Sequence, residues 1–441
     1  MSSPLARAAG FLLLALVAAC RAAAPADELA RAERRARRVI ERATGAPLAA
    51  LRLPAAGDLA AVPQDPRNPL TPEKIALGRR LFHEAGLSVA TVDPSRRGSV
   101  SCATCHRAGA GFRAGQLQGL GEGGVGADGR SGLRLPAPGA DLREVDAQGI
   151  RTPSVLNVAY QEVLHWNGQL GAGGANAGTE AHWTPGTPKA ANALGYAGVE
   201  AQAIAGLAIH RMAITEALVE SLGYRDDFDA AFGERAPERR YGPEAAGLAI
   251  AAYERTLLPT ESPWQRWLRG EAAALTAQQL RGARLFYGRG ACGGCHSGPA
   301  MTDGDFHVLG LADLWQADGH TVRASADMGV NLGRASFTHR DADLYAFKTP
   351  QLYNLADASH LGHGGSYDDP EAFVRHKLSA EPENARVGPG QLDEAYRPRR
   401  LSDGEVAALV AFLTEGLRDP RLARYAPVEG GIPDEALALR E

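Results

Sequence analysis

Alternating apolar and polar stretches are scarce in this sequence, and without them a sheet-based architecture has nothing to build on, so a mainly α fold is expected. A large net charge is missing too. With a formal charge of -4 over 441 residues, the chain gives no reason to expect nucleic acid as a partner. The leading apolar run, Phe11 to Val17, is too short to span a bilayer. Lysine is rare, four residues against forty-three arginines, a bias that reflects genome composition and carries no function. Cysteine is rare as well, at five residues. What is present, 45% hydrophobic and 22% charged residues, describes a soluble globular protein. The length exceeds one ordinary core, so two domains are expected.

Four of the five cysteines fall in two copies of one pattern, Cys102-Ala103-Thr104-Cys105-His106 and Cys292-Gly293-Gly294-Cys295-His296. Cys-x-x-Cys-His is the attachment sequence of a c-type haem. Two thiols one helical turn apart can each form a thioether to a haem vinyl group, and the adjoining imidazole is then held under the iron as proximal ligand. A thioredoxin-like pair needs no such histidine, and a zinc site would need further thiolates. Two covalently bound haem c groups follow as the expected cofactors. Cys102, Cys105, Cys292 and Cys295 would attach them, with His106 and His296 as iron ligands.

The first twenty residues read as an export signal, with Arg7, the short apolar run, and Val17-Ala18-Ala19-Cys20. That last stretch resembles a lipobox, whose cysteine becomes a lipid anchor; ordinary cleavage near Ala22-Ala23-Ala24 is the alternative. Export to the periplasm or cell envelope suits c-type haem, which is attached outside the cytoplasm. Residues 21–69 are expected to be a stalk or linker, because the Arg- and Ala-rich stretch Arg31 to Thr44 shows helical character with little apolar face.

From residue 70 the chain repeats itself. Leu70-Thr71 followed by Gly78-Arg79-Arg80-Leu81-Phe82 recurs as Leu275-Thr276 followed by Gly282-Ala283-Arg284-Leu285-Phe286, each ahead of a haem motif. Thr152-Pro153 with Asn157 and Gly168 recurs as Thr349-Pro350 with Asn354 and Gly365. Two homologous haem domains are therefore expected, residues 70–258 and 259–441, both cytochrome c-like. The same register sets Trp166 of the first half against His363 of the second. Ala201 to Leu222 and Ala245 to Leu257 look helical, Gly115 to Gly149 and Gly168 to Gly195 look like long loops, and a helix started by Ser402-Asp403-Gly404-Glu405 closes the second domain.

The paired motifs, the repeat, Arg151-Thr152-Pro153-Ser154-Val155-Leu156-Asn157 and Phe347-Lys348-Thr349-Pro350-Gln351-Leu352-Tyr353-Asn354 together resemble the bacterial di-haem cytochrome c peroxidase family, which includes the MauG-type enzymes. The resemblance runs from about Leu70 to Leu417. It implies an enzyme that reduces hydrogen peroxide at the first haem, with electrons relayed through the second from a small donor, a cytochrome c or a cupredoxin. It also implies that Trp166, in His165-Trp166-Asn167-Gly168, lies between the haems. The alternatives are a MauG-type oxidase acting on a partner protein or organic substrate, and a di-haem electron carrier without catalysis. Association as a homodimer is left open.

Departures from the family pattern define the remaining candidates. Many members close the peroxidatic iron with a loop histidine beyond the first motif, yet no histidine occurs between Ala108 and Gly149. The family's distal glutamate is expected near the end of the helix containing Glu200 and Gln202, where this chain reads His210-Arg211-Met212. His210 and Arg211 are thus candidates for proton transfer and for stabilising the departing hydroxide; His210 as a direct iron ligand is the alternative. At the second haem the family's methionine ligand aligns with Lys377, but the neighbouring His376 is expected to bind, since a neutral imidazole is the better ligand. Met301 and His307 are weaker candidates. The family's calcium ion is partly held by an asparagine, and Arg151 at the matching place counts against calcium here. His83, His182, His320 and His339 have no second ligand at helical spacing and read as structural or surface residues.

Overall fold

The computed structural model describes residues 27–126, 133–319 and 321–425, so the leader with Cys20, and also His320, lie outside the described residues. Two hydrophobic cores organise the chain, one around Phe82, Phe112, Phe228 and Tyr253, the other around Trp264, Trp267, Phe286 and Phe412. Each is made by the same crossing of two helices. Pro72–His83 crosses Pro243–Arg255 in the first half, and Ala277–Tyr287 crosses Asp403–Ala411 in the second.

Local chemistry starts these helices where the sequence reading put them. Thr71 accepts from the Lys74 amide and Pro72 holds the first helical position. Thr276 with Gln279, and Ser402 with Glu405, form reciprocal capping boxes. The repeated glycines Gly78 and Gly282 mark the crossings. A Cβ on Gly78 would collide with the carbonyl of Ala249, and one on Gly282 with that of Ala408. Both halves therefore need glycine at this place so that the backbones can touch. The result is a mainly α fold of two tandem cytochrome c-like domains.

Among the described residues, sheet is confined to two small antiparallel pairs, Gly124–Val125 with Leu135–Pro136, and Phe306–Val308 with Ala346–Lys348. The long loops are held by short turns and side-chain bonds. The stretch expected to be helical from Ala201 to Leu222 breaks: Gly198–Ile209 ends at His210, Arg211 takes a left-handed φ of 57°, and a new helix runs Glu216–Ser221. Met212 returns its amide to the Leu207 carbonyl, which closes the first helix.

The termini depart from expectation. Residues 27–44 are helical, but they are not a solvated stalk. Ala36 and Ile40, four apart, are fully buried, and with Leu48, Leu51 and Leu53 they join the second core beside Trp264 and Trp267. The Arg37 guanidinium lies 5.3 Å over the Trp267 ring, so an arginine-rich face still packs through its stems. At the other end, Pro420–Tyr425 places Leu422 and Tyr425 in the first core. The boundaries expected at residues 69 and 258 thus divide the sequence but not the packing. Among the described residues no helix is long and apolar enough to cross a membrane.

Candidate active site

The two motif histidines are held by one device, used twice. His106 Nδ1 lies 3.2 Å from the Phe112 carbonyl, and His296 Nδ1 lies 3.2 Å from that of Met301. Phe112 and Met301 are both left-handed, at φ 57° and 54°, which turns each carbonyl back onto its imidazole. Donating Nδ1–H to a carbonyl fixes the tautomer and leaves Nε2 for a metal. Burial pushes both imidazoles down to about 4, which keeps the neutral, metal-binding form.

A cavity of about 330 Å³ opens beside the second motif, lined by Cys292, Cys295 and His296 and, from the first half, by Arg113, Arg151 and Trp166. Arg113 and Arg151 are buried without a carboxylate partner among the described residues. Arg151 donates to the Gly362 carbonyl at 2.7 Å and leaves its Nε unpaired. Burial pushes them down to about 10 and about 9. Two unneutralised guanidiniums, two thiols and a poised imidazole fit a haem, whose propionates would supply the missing anions. They do not fit calcium, which needs oxygen ligands where this structure offers cations.

Trp166 sits at the joint between the halves. Its Nε1 donates to the Arg151 carbonyl at 2.8 Å, and its own carbonyl accepts from the Lys348 amide at 2.8 Å. The ring meets His363 edge-on, centroids 6.2 Å apart, and His363 stacks on Phe347 at 3.7 Å. The two planar side chains that the repeat register set in equivalent places are thus in contact.

The candidates for the sixth position at the second motif sort by direction. Lys377 lines the cavity, its ammonium 5.1 Å from the Phe373 ring and 5.4 Å from that of Tyr396. Burial pushes it down to about 7. His376 does not line the cavity; it faces Tyr367 at 5.3 Å, and its Nε2 is buried without a partner. Helix geometry separates the two, since adjacent residues on Pro370–Ser379 point about 100° apart. Met301 is fully buried with its sulfur taken by the Tyr287 hydroxyl at 3.6 Å. His307 reaches the cavity, but Asp303 at 3.0 Å, Cys295 and Asp393 at 2.6 Å hold it protonated, raised to about 11.

Around the first motif, His210 Nδ1 lies 2.9 Å from Asp146 Oδ2, with Asp146 4% exposed and His210 37%. Arg211 is turned away into an ion pair with Glu122 at 2.6 Å, and that carboxylate also accepts the Val92 and Asp93 amides. The charge of Arg211 is thus matched by Glu122. The loop that lacks a histidine supplies both carboxylates, Glu122 and Asp146. Glu200 is not available either, since it is paired within the first core with Arg255 at 2.6 Å.

His165 was not singled out by the sequence, although it directly precedes Trp166. It is half-buried, left-handed at φ 72°, and bonded through Nδ1 to Gln169 at 3.1 Å. Burial, then the charges of His210 and His106, push it down to about 4, so these three imidazoles share one electrostatic neighbourhood. His83 is largely buried with both ring nitrogens unpartnered, as a structural residue. His182 and His339, expected to be unrelated, meet across the two halves.

Residues 72–273 match the family described as di-haem cytochrome c peroxidase. The chain belongs to this family of haem c-binding oxidoreductases. Among its relatives it is similar to the methylamine utilization protein MauG of Methylorubrum extorquens, 31% identical over 367 residues, which is 80% of each chain. It is also similar to the cytochrome-c peroxidase IdrP1 of Denitromonas iodatirespirans, 28% identical over 86% of this chain and 92% of that one. A solved MauG-like protein associated with microbial copper homeostasis shares the fold, with a TM-score of 0.57 at 24% identity, covering 84% of this chain and 95% of that one.

Proposed function

We propose that the protein is an exported di-haem peroxidase that reduces hydrogen peroxide at the His106 site, drawing electrons from a small cytochrome c or cupredoxin through the His296 site. Cys102, Cys105 and His106, and likewise Cys292, Cys295 and His296, would hold haem c, which would supply peroxide-reducing iron at the first site and an electron store at the second. The observation that carries the reading is the Asp146–His210 pair beside His106. Asp146 holds the Nδ1 proton of His210, so Nε2 is free to take a proton from one peroxide oxygen and return it to the other. Two protons and two electrons then convert one peroxide to two waters. Trp166 links the two sites. Lys377, which lines the cavity, would offer the second haem its further ligand, and Arg113 and Arg151 would neutralise its propionates. Periplasmic or envelope placement, with or without a lipid at Cys20, accords with the leader.

The test is the oxidised holoprotein, without prior reduction. Cyanide and peroxide should bind at once to a high-spin first haem, and turnover with reduced cytochrome c should follow. Two low-spin haems in the oxidised protein, with a high-spin signal gained in His210→Ala, would instead make His210 a gate. A second reading, oxidation of a partner protein's side chain, is favoured by the 31% identity to MauG; modification of a partner without steady turnover of reduced cytochrome c would select it.

A further inference from the structure

We infer that His182 and His339 form a binding site for a divalent transition-metal ion of the copper(II) or zinc(II) type, on a latch that ties the two halves together. His182 ends the short turn Glu180–His182 in the first half, and His339 follows the short helix Ala335–Thr338 in the second. Their rings lie 5.0 Å apart, centroid to centroid, at 63°. An ion bound to two imidazole nitrogens at ~2.0–2.1 Å in tetrahedral geometry sets two ring centroids about 5 Å apart, a spacing that this edge-to-face pair matches.

Three further observations support a ligand. Neither ring makes a hydrogen bond or ion pair to the described residues; each touches only another ring, His182 also meeting Phe337 at 6.1 Å. His339 is exposed and His182 half-buried, so an ion can enter and keep water in its other positions. His339 is also held at a left-handed φ of 55°, an uncommon conformation for histidine, and the latch keeps it there facing His182. Of the nearby cations, Arg340 is paired with Asp343 at 2.8 Å, and Lys189 is drawn to the Phe337 ring at 5.9 Å.

The position gives the ion something to act on. The loop that starts just after Trp166 is bound to the same segment of the second half. Arg334 donates to the carbonyls of Asn167 at 3.0 Å, Gly168 at 3.1 Å and Ala175 at 2.7 Å, and Asn167 bonds Ser336 at 3.0 Å. An ion on His182 and His339 would add a clasp from each half at the far end of this latch, stiffening the loop that follows the inter-haem tryptophan.

The experiment uses holoprotein with copper(II) and zinc(II) chlorides, and the variants His182→Gln and His339→Asn; asparagine tolerates the left-handed backbone. One zinc per chain should bind in calorimetry, at least tenfold more weakly in each variant. Copper should give an EPR spectrum with coupling to two nitrogens, lost in both variants. Unchanged haem spectra and melting temperatures would show that the variants fold. Failure of the wild-type protein to bind either ion would overturn the inference. So would equal binding by wild type and variants, which would leave an edge-to-face ring contact and nothing more. These readouts do not involve peroxide turnover, so they stand apart from the proposed peroxidase activity.

Discussion

Glu200 lies on the helix where the family's distal carboxylate is expected, so replacing it separates a structural acid from a catalytic one. It is completely buried and its partner Arg255 is 3% exposed. The two meet as a fork, Nε to Oε1 at 2.8 Å and Nη2 to Oε2 at 2.6 Å, and Asn68 adds a bond at 3.3 Å. Arg255 also donates to the Pro63 carbonyl at 2.9 Å. Glu200→Gln keeps the shape but leaves a buried guanidinium uncompensated, a loss of ~3–5 kcal/mol in comparable pairs. Neighbouring Glu254, pushed up to about 8 by burial and by the charge of Glu200, would ionise more readily and recover part of that loss. The expected cost is therefore near ~3 kcal/mol, or ~6–12 °C in the melting of a domain of this size.

A linked change in pH dependence should accompany it. Between about 4.5 and about 8, folded Glu254 keeps a proton that the unfolded chain has released, so its contribution to stability falls as pH rises through that window. The window should narrow in Glu200→Gln. Scanning calorimetry of the holoprotein across pH, with peroxide turnover per haem measured well below the transition, reads both effects. Unchanged melting with turnover reduced tenfold or more would refute the structural assignment and make Glu200 the acid.

His210→Ala should keep a high-spin first haem but lower peroxide turnover ~100-fold, the contribution of a positioned proton carrier, and Asp146→Asn should lower it less by releasing the imidazole; equal turnover in stopped-flow assays would remove the pair from catalysis. Trp166→Leu should slow electron transfer between haems without changing haem content, measured by flash reduction, and unchanged transfer would leave Trp166 a packing residue. Lys377→Ala should shift the near-infrared and EPR signatures of the second haem while His376→Ala leaves them in place. The opposite pattern would restore His376 as ligand.

What was legible in the sequence was what spacing encodes. The two motifs, the repeat and the capped helices are all short-range, while the reason for the repeated Gly78 and Gly282, a helix crossing in each half, appeared only in the structure. The opposition of Trp166 and His363 came from register alone. What could not be read depends on contacts between distant residues or on which way a helix faces. Asp146 reaches His210 across 64 positions, and Glu122 reaches Arg211 across 89. His376 and Lys377 differ by one residue, and only Lys377 lines the cavity, a matter of helix facing that spacing does not encode. Alignment to a methionine had indicated Lys377, but a preference for imidazole outweighed it.

The exchanged termini have a consequence for how the protein is made. The helix at 27–44 shelters the second core, so it emerges from the ribosome long before the surface it covers exists. Leu422 and Tyr425 complete the first core, so that core stays unsealed until nearly the whole chain has been synthesised. Each half therefore borrows part of its core from the opposite end of the chain. The first core, although its helices come first in the chain, is closed by residues from the far end of the sequence.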